Sequence, residues 1–151
     1  MSGECREPLI KVLKAHPRIP LPQYESEGAA GMDVRAFLDS EVSIPPLGRA
    51  KIPTGLRIEL PAGYEAQIRP RSGLALRCGL TVLNSPGTVD SDYRGDLEII
   101  LINLGAEDAV IKDGDRVAQL VAAPVCRAGL LEAETLSGTL RGSAGFGSTG
   151  V

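Results

Sequence analysis

LRIELPAGYEAQIR, residues 56–69, decides the fold class. Leu56, Ile58 and Leu60 alternate with Arg57 and Glu59, and Tyr64, Ala66 and Ile68 alternate with Glu65, Gln67 and Arg69. A period of two puts the apolar residues of each run on one face, the mark of a half-buried strand. Pro61-Ala62-Gly63 between the runs supplies a turn. Further out, residues 10–13 and 49–52 read as weaker strands. Residues 97–104, LEIILINL, carry apolar side chains on both faces. Both faces should therefore be covered, by a sandwich interior or by another subunit. Residues 117–121 are similar but interrupted by Gln119, and residues 105–108 and 112–115 read as turns. One helix is expected from Ser72 to about Cys78, with Ser72 as N-cap and Gly79 as its stop. The result is an all-β, antiparallel chain with one short helix. No linker or repeat interrupts it, so residues 1–151 form a single domain. Residues 141–151, rich in Gly and Ser, are expected to be mobile without a ligand.

Composition agrees and narrows the function. Gly at 18 and Pro at 11 favour many turns, and with no Trp and 3% aromatics the core must be aliphatic. The net charge of −3 comes with no basic run, which argues against general binding to nucleic acid. A phosphate ligand would need local arginines, backbone N–H groups or a metal ion. His16 is the only histidine, which excludes mechanisms needing two. Cys5, Cys78 and Cys126 lack metal-ligand spacing and suit free thiols in a reducing cytosol. No apolar stretch reaches the roughly 20 residues of a membrane span, and residues 1–6 are too polar for a signal peptide.

Five segments could carry chemistry. In Pro70-Arg71-Ser72-Gly73-Leu74-Ala75 a strand gives way to a helix start, whose free N–H groups suit phosphate beside the forked Arg71 donor. Its plain reading is an ordinary cap with a solvated Arg. Residues 84–95, NSPGTVDSDYRG, read as a hairpin-like loop presenting Asp90, Asp92 and Tyr93. A partly buried Asp90 could take a proton from water, although Asp also simply suits turns. Asp33 in AGMDVRA, residues 30–36, lies in an apolar run where a carboxylate is costly unless paired. Gln119 in GDRVAQL, residues 114–120, is polar on an apolar strand. Either could be an internal hydrogen-bonded residue. The tail RGSAGFGSTG, residues 141–150, holds one of the 2 Phe of the chain, and a solvated tail gains nothing from an aromatic.

In chain order the five segments resemble the motifs of the trimeric dUTPase family, over residues 30–150. That resemblance implies an antiparallel β jelly-roll sandwich assembled as a homotrimer. The active sites would lie between subunits, with the C-terminal arm closing over bound nucleotide. It implies a cytoplasmic enzyme that hydrolyses dUTP to dUMP and pyrophosphate, keeping uracil out of DNA and supplying dUMP for dTMP synthesis. Asp90 would be the general base. Asn84 and the backbone near Gly87 would read uracil, Tyr93 would lie against the deoxyribose, and Phe146 would stack over the base. Arg71, Ser72, Gly73 and Gln119 would hold the phosphates, with Arg141, Ser148 and Thr149 clamping the γ-phosphate. Mg²⁺ would bind through phosphate oxygens and waters, with Asp33 acting on it through water. The chain departs from the family at Ala144, the first of two positions before the Phe where glycines are usual. If that position takes a positive φ, Ala costs about 1 kcal/mol and arm closure is weaker.

Three other functions compete. A dCTP deaminase of the same fold needs a Glu near the base, but residues 84–93 hold none and Glu98 already lies in a strand. A silent nucleotide-binding or protein-binding trimer would be signalled by loss of Asp90, Tyr93 or the arm, all of which are present. A general nucleoside triphosphate pyrophosphatase would not need Tyr93 and a tight loop.

Overall fold

The computed structural model describes residues 7–145. Strands β1 (Lys11–Lys14), β4 (Arg49–Glu59), β8 (Leu97–Asn103) and β6 (Leu80–Val82) form one four-stranded sheet, in the order β1-β4-β8-β6. Strands β2 (Met32–Arg35), β10 (Arg116–Pro124), β5 (Tyr64–Arg69) and β7 (Gly87–Val89) form a second, in the order β2-β10-β5-β7. Strands β3 (Val42–Ile44) and β9 (Ala109–Ile111) pair separately. Every pairing is antiparallel. Ile52, Leu56, Ile99 and Leu101 from the first sheet and Val34, Ile68, Ala118 and Leu120 from the second share one aliphatic core. The all-β jelly-roll expectation holds, and α1 (Ser72–Cys78), the one helix among the described residues, is where the sequence put it.

The deciding stretch folds as two strands, but these do not pair with each other. β4 pairs with β1 and β8, whereas β5 pairs with β10 and β7. Pro61-Ala62-Gly63 therefore carries the chain from one sheet to the other. The weaker run at residues 49–52 merges with the first run of that stretch into β4, 11 residues long and bent by a register shift between Pro53 and Leu56, while the weaker run at residues 10–13 becomes β1. The bend follows from local chemistry: Pro53 has no N–H for the ladder, and Gly55 takes φ +66°. Buried Thr54 stands in for the lost pairing, its Oγ1 donating to the Leu97 carbonyl at 2.6 Å and accepting from the Leu56 N–H at 3.2 Å.

Strand β8 is covered on one face only. Leu97, Ile99, Leu101 and Asn103 are buried, while Glu98, Ile100 and Ile102 on the other face are not, Ile100 being 37% exposed. The sandwich interior thus accounts for half of its apolar pattern. Asn103 ends the strand fully buried, with Nδ2 donating to the carbonyls of Ile44 and Glu107, each at 2.8 Å. Its Oδ1 accepts the Gly105 N–H at 2.8 Å, so one amide fixes the β3–β9 pair against the main sheet.

Candidate active site

The helix start is set differently from expectation. Arg71, with extended backbone, is the N-cap, Ser72 is the first helical residue, and no side chain caps this end. Gly79, in the left-handed conformation, stops the helix as expected. An uncapped start leaves its first N–H groups for solvent or a ligand. Beside it, Asp33 on β2 is buried and paired twice: Arg71 Nε donates to Oδ1 at 3.0 Å and Arg116 donates to Oδ2 at 3.1 Å. The cost that the sequence assigned to an aspartate in an apolar strand is offset by two guanidinium groups. Arg116 was missed as a site residue; the signal available was the demand of Asp33 for a cation. Gln119 lies opposite Asp33 on one side and Arg69 on the other, so Asp33, Gln119, Arg71 and Ser72 gather at one end of the second sheet.

Residues 84–95 are not the hairpin-like loop expected: residues 87–89 within them form β7, and the chain reaches it from β6 by crossing from the first sheet to the second, through a cis Ser85-Pro86 peptide. Gly87 is buried, and a Cβ there would stand 3.0 Å from Asn84 Nδ2 and 3.4 Å from Ile68 Cβ. The missing side chain is what lets the Asn84 amide close down on the strand. Asn84, Gly87, Asp90 and Tyr93 line one cleft of about 240 Å³, with Lys51, Glu98 and Ile100 as walls that the sequence did not reveal. Lys51 Nζ is 2.8 Å from Glu98 Oε2, and this partner holds the lysine above its ordinary pKa. Asp90 is exposed, not the partly buried carboxylate expected. Tyr93 donates its hydroxyl to the Asp96 carbonyl at 3.0 Å.

These two groups of residues stay apart within one chain. Val89 pairs with Ala66, so Asp90 arrives beside Glu65, and both line a second shallow cleft with Asp92. Arg71 lies six residues further along from Glu65, beyond the other end of β5, a separation of roughly 20 Å. A larger cleft, between α1 and residues 105–111, reaches Arg71 and Arg116 but none of Asn84, Asp90 and Tyr93.

Of the arm, only Arg141 to Gly145 is described, and Phe146, Ser148 and Thr149 lie outside the described residues. Arg141 Nε donates to the Ala144 carbonyl at 2.9 Å. Ala144 does not take a positive φ; among the described residues Leu47 is the only non-glycine that does. The strain considered for Ala144 is therefore absent in this conformation. Among the described residues no cluster of His, Cys, Asp or Glu could hold a metal, and no helix is long and apolar enough to cross a membrane.

The model of the dUTPase family matches residues 17–150. A deoxyuridine 5'-triphosphate nucleotidohydrolase of Wolinella succinogenes is 56% identical, over 98% of this chain and 98% of its own. One from Caldanaerobacter subterraneus subsp. tengcongensis is 59% identical, over 88% of this chain and 90% of its own. Among solved structures, a Staphylococcus bacteriophage 80alpha dUTPase with dUPNHPP superposes with a TM-score of 0.81 at 26% identity, covering 95% of this chain and 99% of that one. A mutant dUTPase of phage phi11 of S. aureus, described with a structural Mg(II) ion, covers 86% of this chain and 99% of its own, with a TM-score of 0.75 at 22% identity.

Proposed function

The chain belongs to the dUTPase family and hydrolyses dUTP to dUMP and pyrophosphate, and from that premise we propose which residues do the work and how many chains they come from. One observation carries the proposal: Asp90 and Arg71 stand at opposite ends of β5. Around a single α-phosphorus they can meet only if they come from different copies of the chain. The open apolar face of β8, which includes Ile100, is a surface such an assembly would cover. A homotrimer with sites shared between subunits satisfies both.

In that site Asn84 and the backbone at Gly87 bind the polar edge of uracil, and Tyr93 packs on the deoxyribose where a 2′-hydroxyl would clash. Arg71, Ser72, Gly73 and Gln119 from a neighbouring chain hold the phosphates. Asp90 accepts a proton from the water whose oxygen bonds to the α-phosphorus, while the bond from that phosphorus to the bridging oxygen breaks and pyrophosphate departs. A neighbour covering Asp90 would exclude bulk water and hold the attacking one in line. Phe146 stacks over uracil, and Arg141, Ser148 and Thr149 clamp the γ-phosphate from the arm.

The donor set fits Mg²⁺ held by the substrate, since the described residues offer no carboxylate cage. When bound, the ion neutralises phosphate charge. Asp33 spends part of its capacity on Arg71 and Arg116, and its remaining lone pairs can accept from a water of the ion's shell. Cys78 and Cys126, free and exposed, suit the reducing cytoplasm.

The test is pyrophosphate release with Mg²⁺ from dUTP, UTP, dTTP and dCTP in parallel, for the unaltered chain and for Asp90→Asn. Release from dUTP alone, with turnover by Asp90→Asn down about a hundredfold or more and dUpNHpp binding kept, is the expected outcome. Normal turnover by Asp90→Asn would remove the residue from its role.

A further inference from the structure

Gly95 sits beneath the phenol ring of Tyr93. A Cβ on Gly95 would stand 2.5 Å from Tyr93 Cζ and 2.9 Å from Cε2, and nearer still to the hydroxyl oxygen. The backbone does not demand glycine here. Gly55, Gly63, Gly79 and Gly114 take a positive φ, and Gly95 does not. What an alanine at 95 would meet is the far end of one side chain, which can swing away. The tyrosine would yield, not the loop.

Two further contacts hold the ring over that space. The Tyr93 hydroxyl donates to the Asp96 carbonyl at 3.0 Å, and Arg57 Nε on β4 donates to the Asp96 carboxylate at 2.7 Å. The β4–β8 ladder, in which Leu56 pairs with Leu97, brings Arg57 to Asp96. The Arg57–Asp96 pair is exposed and so weak. The space over Gly95 is therefore the stronger constraint.

We propose that Gly95 is a specificity-determining position: its missing side chain is the seat that sets Tyr93 at the depth from which it excludes a 2′-hydroxyl. This rests on Tyr93 being the residue that packs on deoxyribose. Filling the seat pushes the ring off Asp96 and changes sugar selection without touching the general base or the phosphate residues.

The experiment measures kcat and KM for dUTP and UTP in the unaltered enzyme, Gly95→Ala, Tyr93→Ala and the double variant. In Gly95→Ala the preference for dUTP over UTP should fall about ten- to hundredfold, mainly through a lowered KM for UTP. In the Tyr93→Ala background the seat is already empty, so adding Gly95→Ala should change nothing further. An unchanged preference in Tyr93→Ala would overturn the reading of Tyr93 and the proposal with it. A lost preference in Tyr93→Ala but not in Gly95→Ala would overturn the proposal alone. If Gly95→Ala does not fold, a double variant that folds supports the seat, and one that also fails shows that the loop needs glycine for another reason.

Discussion

Asp33 shows how much a single residue can disclose. Its side chain is 5% exposed, against 20% for Arg71 and 41% for Arg116. Asp33→Asn keeps one acceptor oxygen, turns the other into an N–H donor that faces a guanidinium, and removes the charge that both arginines answer. Breaking a fully buried pair costs about 3–5 kcal/mol. Arg116 can turn to water, so the expected loss is smaller, about 1–3 kcal/mol, in denaturant unfolding at fixed protein concentration. With Arg71 less firmly aimed, KM for dUTP should also rise; unchanged stability and KM would mean that the pair only decorates the strand. That an aspartate here must be paired was legible, because the physics of a buried charge is local. Which cations pair with it was not, because Arg71 and Arg116 reach it across the sheet from 38 and 83 residues away in sequence. The capping of α1 was misread for a related reason. Ser is a good N-cap by type, but the extended backbone of Arg71 takes that position, and Ser72 enters the helix.

At the scale of elements, period and turn chemistry were readable and partnership was not. The alternation in residues 56–69 identifies two strands, but nothing in it says that consecutive strands belong to different sheets. Strand β9 was overlooked as too short to show a period, lying between two correctly read turns. The second of these turns acts as a latch. Asp113 accepts the Leu38 N–H at 2.9 Å and a hydrogen bond from Arg18 at 2.5 Å, while Arg18 lies 4.5 Å over the Phe37 ring. The Leu38 N–H first, and Arg18 second, hold this carboxyl below the ordinary aspartate range. The unfolded chain therefore takes up the proton first. The latch stabilises fully above the unfolded pKa, about 4, and its contribution is lost as pH falls through the folded value. Asp113→Asn should melt below the unaltered chain at pH 7, and the gap in Tm should narrow as pH falls below about 4. A gap that stays constant with pH would mean that charge has no part in the latch.

For the whole molecule, the proposed division of the site between chains makes a prediction that no single-chain site could meet. Asp90→Asn and Arg71→Gln should each be nearly inactive alone. Coexpressed, they should form mixed assemblies in which some sites take Asp90 from one chain and Arg71 from another, and part of the dUTP turnover should return. No recovery from verified mixed assemblies would place both residues in one chain's site. LEIILINL had carried a hint of this, because its apolar pattern asks for more cover than one sandwich provides; the sequence could not say what the cover is. The crossing at Pro61-Ala62-Gly63 has a different consequence, for the birth of the protein. With neighbouring strands sent to different sheets, β5 must wait for β10, more than 40 residues later, before its ladder with residues 119–124 can form. Folding governed by such distant pairings is slow, on the order of milliseconds to seconds for all-β chains. During synthesis β5 offers a bare edge to any other nascent strand, so the same corner that shapes the site sets the interval in which the chain is most exposed to aggregation.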